Sequence, residues 1–209
     1  MIKTAIKQTS LASLCAASLL ALSAQAASVS YLLNKSNSLP DAPYATVTID
    51  DLGTSDTIQF TVTPNHAELE PEPGSNYGVQ QFGLNLIGSI ASGTTWILPA
   101  NWSANVGSYN MSSFGNFEVE VKKAGQGVRQ DPLVFSLKNS GLTVNSFAEG
   151  STTEGYYFAA HIAGFTAPVV TGQSTWVGGS TVAPVPVPAA AWLFGTGLAA
   201  LGLVRRRGA

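Results

Sequence analysis

Two histidines, His66 and His161, are the residues in this sequence best suited to acid–base chemistry. Serine–histidine catalysis would require one of them beside a serine on a sharp turn, and the sequence contains no Gly-x-Ser-x-Gly segment. His161 lies within an apolar run, residues 156–162, which favours a histidine held in a core or an interface over a general base. His66 follows Pro64-Asn65 and precedes three glutamates, so an acid–base or metal-binding role stays an alternative there.

Carboxylates form two groups that could supply oxygen ligands to calcium. These groups are Asp50, Asp51 and Asp56, and Glu68, Glu70 and Glu72. Neither group has the spacing of a known calcium loop. Turn chemistry accounts for the aspartates, and a solvated loop accounts for the glutamates. We therefore predict no metal site, no cofactor and no catalytic residue.

Trp96 and Trp102 lie on either side of Pro99. Exposed aromatic rings near loops can stack on sugars, which makes these two residues candidates for glycan contact. Large aromatic side chains are more often buried, and burial in the core is therefore the favoured interpretation.

Charge and cysteine content exclude several classes of partner. All 12 acidic residues lie between Asp41 and Glu154, whereas five of the ten basic residues lie in the two terminal segments, so the part of the chain between those segments has a net charge of −7. A nucleic-acid partner is disfavoured because no basic patch is present. The only cysteine, Cys15, lies in the N-terminal apolar segment, so the rest of the chain has no thiol and no disulfide.

The elements that must position these residues are short strands. Residues 44–50 and 57–63 alternate between apolar and polar types around a turn at 51–56, which predicts a β-hairpin. Further strands are predicted at 81–90, 96–98, 117–121, 133–137 and 156–162, with an exposed loop at 66–77. Eight to ten strands favour an all-β fold, an antiparallel β-sandwich or jelly-roll-like domain, over a closed barrel.

The N-terminus has the pattern of a signal peptide. Lys3 and Lys7 precede an apolar stretch at 11–22, and Ala24 and Ala26 supply small residues where signal peptidase reads the chain. We therefore predict a signal peptide at 1–26, cut after Ala26, and a β-sandwich domain at 27–170. Residues 171–184 are rich in Gly, Ser and Thr and predict a flexible tether.

The C-terminus, residues 185–209, has the pattern of a membrane anchor. Residues 189–204 contain no charge and are followed by Arg205, Arg206 and Arg207, the order of a transmembrane helix stopped by a cytoplasmic basic cluster. Sixteen residues span only about 24 Å as a helix, less than the roughly 30 Å hydrocarbon core of a bilayer. Pro186 and Pro188 place the start of a regular helix at or just after Pro188.

This tail resembles the PEP-CTERM sorting signal of Gram-negative bacteria. The resemblance rests on Val185-Pro186-Val187-Pro188, on the apolar segment that contains Trp192, and on the three arginines. The Pro-Glu-Pro that names the signal reads Pro186-Val187-Pro188 here, so the resemblance is to a Val-Pro-Val-Pro subtype. It covers about an eighth of the chain.

The resemblance implies that the protein is a substrate of exosortase, a membrane-embedded transpeptidase-like enzyme, in cells that produce exopolysaccharide. The expected path is export through signal peptidase, tethering to the inner membrane with the core in the periplasm, then release to the cell surface or extracellular matrix of a biofilm. A non-catalytic surface or matrix protein is the favoured function. The alternatives are a glycan-binding module and a membrane-tethered periplasmic glycan hydrolase.

Overall fold

The computed structural model describes residues 26–54, 56–88, 93–125, 127–152, 155–166 and 173–182. The described chain folds into short strands because β-branched and aromatic residues alternate with polar ones between Gly-, Pro- and Asn-rich turns. The strands are, in chain order, β1 (Ser28–Leu33), β2 (Lys35–Ser36), β3 (Ala45–Asp50), β4 (Thr57–Pro64), β5 (Glu70–Pro71), β6 (Gly78–Leu84), β7 (Thr95–Ile97), β8 (Trp102–Asn110), β9 (Asn116–Lys123), β10 (Leu133–Lys138), β11 (Phe158–Ala163), β12 (Phe165–Thr166), β13 (Ser174–Gly179) and β14 (Thr181–Val182).

Two six-stranded antiparallel sheets form a sandwich. Sheet A has the order β14-β1-β3-β4-β10-β7, and sheet B has the order β2-β13-β11-β6-β9-β8. β5 and β12 form a separate two-stranded pair. The described residues contain no α-helix, only 3-10 turns at Ser112–Phe114 and Val144–Phe147. The all-β, antiparallel prediction is confirmed.

Phenylalanine rings from both sheets fill the space between them. Phe60 of sheet A stacks on Phe135 of the same sheet, with ring centroids 5.0 Å apart, and meets Phe82 of sheet B at 6.2 Å. Phe147, from the 3-10 turn, closes edge-on against Phe60 at 4.8 Å. Edge-to-face and offset contacts of this kind add to the stabilisation from burial alone, so this cluster ties the two sheets together.

The predicted hairpin is present as β3 and β4, with Thr48 opposite Thr61 and Asp50 opposite Gln59. The strand predicted at 81–90 begins earlier and ends earlier, at Gly78–Leu84. Glu70 and Pro71, in the predicted exposed loop, pair with Phe165–Thr166, although both stay exposed. The fourteen strands of the described residues exceed the predicted number because several have only two residues.

The prediction of a flexible tether at 171–184 is partly wrong, because this segment contains two strands. β13 lies between β2 and β11 in sheet B, and β14 pairs with β1 in sheet A. Its small residues serve close packing instead of flexibility: a Cβ on Gly179 would lie 2.0 Å from the carbonyl oxygen of Leu32. The described domain therefore continues to Val182.

Candidate functional site

His161 lies on the outer face of sheet B, and its ring is held by two neighbours. The ring stacks on Trp176 of the adjacent strand, with centroids 4.6 Å apart and planes 12° apart. The amide nitrogen of Gln80 lies 2.7 Å from Nδ1 of His161. The sequence favours a core or interface position for His161, and the structure places its side chain in a polar network on the surface of a sheet.

The orientation of Gln80 fixes the protonation of His161. Nε of Arg129 donates to Oε1 of Gln80 at 3.0 Å, and a guanidinium can only donate. The Gln80 amide nitrogen must then donate to Nδ1 of His161, which leaves the imidazole proton on Nε2. The four side chains form a chain of contacts from Arg129 through Gln80 and His161 to Trp176, which we call the histidine–tryptophan network.

A β-bulge brings Gln80 to this position. His161 pairs with Gln81 and Ile162 pairs with Val79, so Gln80 has no residue opposite it in β11. An extra residue of this kind bends the strand and redirects a side chain. Gln80 and Gln81 are both partly exposed as a result.

Burial, and secondarily the positive charge of Arg129, lower the pKa of His161 to about 4. The imidazole is therefore neutral at neutral pH. A base with so low a pKa abstracts protons weakly near pH 7. The geometry suits His161 to packing and hydrogen bonding more than to general-base catalysis.

A buried carboxylate lies on the same face. Glu120 is only 5 % exposed, and its oxygens receive contacts from one cation and two amides. Nζ of Lys122 lies 2.6 Å from Oε2, the amide of Gln81 donates to Oε1 at 2.6 Å, and the amide of Asn105 donates to Oε2 at 3.3 Å. The alternation of residues 117–121 predicts that Glu120 faces away from the core, and Lys122 follows it on the same strand, but the two amide partners come from β6 and β8 and carry no local sequence signal.

His66 forms a second, separate contact. Its Nε2 lies 2.6 Å from Oδ2 of Asp131, and its ring meets Tyr77 edge-on at 5.3 Å. The Tyr77 hydroxyl is buried and has no partner among the described residues. Burial, and then the charge of Asp131, raise the pKa of Tyr77. The arrangement brings a histidine and a carboxylate together, which the sequence separation of 65 residues could not predict.

The aspartates considered for calcium are occupied by backbone contacts. Oδ1 of Asp50 accepts from the amide of Leu52, Oδ1 of Asp51 accepts from Gly53, and Oδ1 of Asp56 accepts from Gly141. Such contacts are turn and loop chemistry. Within the described residues, no three His, Cys, Asp or Glu side chains come together as metal ligands.

The two tryptophans considered for sugar stacking pack against the core and are not free on the surface. Trp102 is 8 % exposed and donates from Nε1 to the carbonyl of Val128 at 3.1 Å. Trp96 is half-buried against Phe135, with centroids 6.4 Å apart. The tryptophan on the outer face of sheet B is instead Trp176, in the segment whose composition predicted a tether.

The sorting-signal residues Val185, Pro186, Val187, Pro188, Trp192 and Arg205 to Arg207 lie outside the described residues, as does Ala24. Ala26 is described and exposed, two residues before β1. No helix within the described ranges is long and apolar enough to cross a membrane. No protein-family model, curated protein or solved structure matches this chain.

Proposed function

We propose that this protein is a non-catalytic exported surface or matrix protein, held at the inner membrane by its C-terminal segment and released by exosortase into an exopolysaccharide-rich matrix. Signal peptidase cuts after Ala26, and a transmembrane helix at 189–204 holds the C-terminus before processing. The tail sequence supports the sorting path, and the all-β domain supports a stable module that functions outside the cell.

One observation carries the proposal: the two ends of the domain meet on neighbouring strands. Tyr31 pairs with Val182 and Leu32 pairs with Thr181, so the antiparallel β14 points back toward the start of β1. The Val-Pro-Val-Pro segment follows β14 by two residues. Cleavage close to Pro188 would therefore remove no described strand, and the released domain would keep its fold.

The start of the domain is also fixed close to the predicted signal-peptidase site. The amide of Ala27 donates to Oδ1 of Asp51 at 2.9 Å, and the amide of Asp51 donates to the carbonyl of Ala27 at 3.1 Å. A cut after Ala26 would turn this amide into an ammonium facing a carboxylate, a charge-assisted contact. The same cut would leave β1 intact.

The test is to follow the C-terminus in the native Gram-negative host. In wild-type cells we expect a product cut close to Pro188, without Trp192 and the arginines, as measured by intact mass. An exosortase-deleted strain should accumulate the full-length chain in membranes. Replacing Arg205, Arg206 and Arg207 by Ser should reduce processed product because the basic stop is lost.

Lys138→Ser is the matched control, since it removes a positive charge from the exposed surface of sheet A without altering the tail. A wild-type chain that stays in the membrane with an intact C-terminus, with or without exosortase, would reduce the tail to an ordinary anchor. Turnover of a glycan by the released product would replace the proposal with the hydrolase alternative.

A further inference from the structure

A cleft of about 300 Å³ opens at the end of the sandwich, apart from the histidine–tryptophan network. It is lined by the residue that follows β6, by residues of β8 and β9, and by residues of the loop after the 3-10 turn at Val144–Phe147. Its polar lining residues are Asn85, Ser108, Asn116, Glu118, Glu149 and Thr152. This volume is at the lower end of the range of about 300–1,000 Å³ found for small-molecule sites.

A buried amide holds the two walls of the cleft in place. Asn85 is 4 % exposed; its Oδ1 accepts from the amide of Glu118 at 2.8 Å, and its Nδ2 donates to the carbonyl of Glu149 at 3.3 Å. Oγ1 of Thr152 accepts from the amide of Asn116 at 3.2 Å and joins the same two segments. The cleft is therefore preorganised by contacts between residues distant in sequence.

The cleft is negative, and no cation of the described chain pairs with its glutamates; Oε2 of Glu118 accepts only a long contact, 3.4 Å, from the backbone amide of Leu86. Its lining residues include Glu118 and Glu149 and no Lys, Arg or His. The ion pairs of the described residues lie elsewhere, at Lys35–Asp41, His66–Asp131 and Lys122–Glu120. A phosphate, sulfate or uronate ligand would be repelled, whereas an ammonium would be attracted.

The remaining lining groups suit a ligand with many hydroxyls. Side-chain amides and hydroxyls both donate and accept. Oδ1 of Asn116 already accepts from Asn110, and Oγ1 of Thr152 accepts from the amide of Asn116, so Nδ2 of Asn116 and the hydroxyl protons of Ser108 and Thr152 remain to donate to alcohols. A bare metal ion fits less well, because the cleft is much larger than an ion and the described residues contain no three-ligand acidic cluster. A polyhydroxylated ligand with a positive charge meets both requirements.

We propose that this cleft binds a sugar residue with a free amino group, as a unit of an extracellular polysaccharide. Glu118 and Glu149 contact the ammonium, and Ser108, Asn116 and Thr152 contact ring hydroxyls. Asn85 is a positioning residue that keeps the two glutamates on facing walls. This inference rests on the proposed association with exopolysaccharide for the source of the ligand, but it uses no residue of the tail.

The test is isothermal titration of the released protein with a fully de-N-acetylated glucosamine hexamer. The N-acetylated hexamer and calcium chloride are titrated in parallel. Glu118→Gln and Glu149→Gln should each weaken binding of the de-N-acetylated hexamer by about tenfold, because a charge-assisted contact of about 1.5 kcal/mol is lost. Higher salt should weaken binding to the wild-type protein as well.

Glu68→Gln is the matched control: it removes one exposed carboxylate from a different loop and should bind as the wild type does. Thermal melting of each variant checks that the fold is kept. The backbone amide of Glu118 and the carbonyl of Glu149 are unchanged by these substitutions, so their contacts with Asn85 persist.

Equal affinity for the N-acetylated hexamer would overturn the role of the ammonium. Calcium binding that is lost in both glutamine variants would make the cleft a metal site and overturn the sugar. Cleavage of either hexamer would make the two carboxylates a hydrolytic pair. If exosortase processing fails, the detergent-solubilised full-length chain serves for the same titration, so the two proposals fail separately.

Discussion

The outer faces of the two sheets are built in different ways. The face of sheet A includes a row of hydroxyl residues, in which Thr48 lies between Ser30 and Thr61 on neighbouring strands. Ser30 and Thr48 share a hydrogen bond of 2.9 Å. The face of sheet B has the histidine–tryptophan network, the buried Glu120 and a cover of aromatic side chains.

The difference originates in the residue sizes along each sheet. Sheet B has a row of small residues, Gly83, Ala159 and Gly178, directly opposite one another on three strands. Met111 and Phe114, from the turn between β8 and β9, pack over this row. Sheet A carries β-branched hydroxyl residues at the corresponding outward positions, so its surface needs no cover. The face of sheet A thus follows from the residue types along its strands, whereas the face of sheet B depends on contacts between residues distant in sequence.

The largest expected loss of stability comes from enlarging one of the small residues in the row on sheet B. A Cβ on Gly178 would lie 2.3 Å from Cδ1 of Phe114, so Gly178→Ala forces the buried ring to move. We expect a loss of about 1–3 kcal/mol in the free energy of unfolding, measured with urea. Ser30→Ala on sheet A should cost much less. Adding Phe114→Ala to Gly178→Ala should cost less than the sum of the two single variants, and simple additivity would contradict the proposed contact.

The next largest effect should be a loss of stability in acid that arises from His161 on the face of sheet B. The folded-state pKa of His161 is about 4, below the ordinary value of 6.5, so the unfolded chain binds the proton more readily between these values. The contribution of His161 is therefore complete above pH 6.5 and is lost as the pH falls toward 4. After allowance for solvent around the partly exposed ring, we expect about 1–2 kcal/mol. The measurement is urea unfolding across this range.

Carboxyl groups also titrate in acid, so the wild-type profile is compared with that of His161→Gln. This variant should lose less stability between pH 6.5 and 4. His66→Gln, a substitution at the exposed histidine outside the histidine–tryptophan network, is the matched control for replacing a histidine by glutamine. A wild-type profile that survives in His161→Gln would show that the histidine–tryptophan network does not carry the effect.

Sequence alternation predicts sheet A well because its outward and inward residues differ in type. The hairpin of β3 and β4 could be located, with its turn, from residues 44–63 alone. The aspartate contacts at that turn were also predictable, since Asp side chains bind their own backbone two residues on. Long-range pairing was not needed for any of these predictions.

Features of sheet B could not be predicted from the sequence, for physical reasons. β13 has the composition Ser-Thr-Trp-Val-Gly-Gly, and its glycines are explained only by the rings and backbone that approach them. The bulge at Gln80 is invisible to a pattern of period two. The Glu118–Glu149 cleft depends on loop geometry that spacing along the chain does not define.

The buried carboxylate of sheet B should respond to loss of its cation. Lys122→Met removes the contact with Glu120 and leaves two amide donors to its carboxylate. We therefore expect a loss of about 1 kcal/mol in the free energy of unfolding, well short of the penalty for a buried charge left without any partner. Lys138→Met on the exposed surface of sheet A is the matched control and should be nearly neutral. Urea unfolding at neutral pH measures both, and equal effects would remove the distinction between the faces.

The smallest effect should come from the hydroxyl face itself. Thr48→Val keeps the β-branched shape that suits a strand and removes only the hydroxyl that meets Ser30. Because both hydroxyls are partly exposed, water can replace the lost hydrogen bond, and the free energy of unfolding should change by less than about 0.5 kcal/mol. Thr61→Val on the neighbouring strand should behave in the same way. If either variant instead lost more stability than Lys122→Met, the hydroxyls of sheet A would form a cooperative network like that of sheet B, and the contrast between a local face and a long-range face would fail.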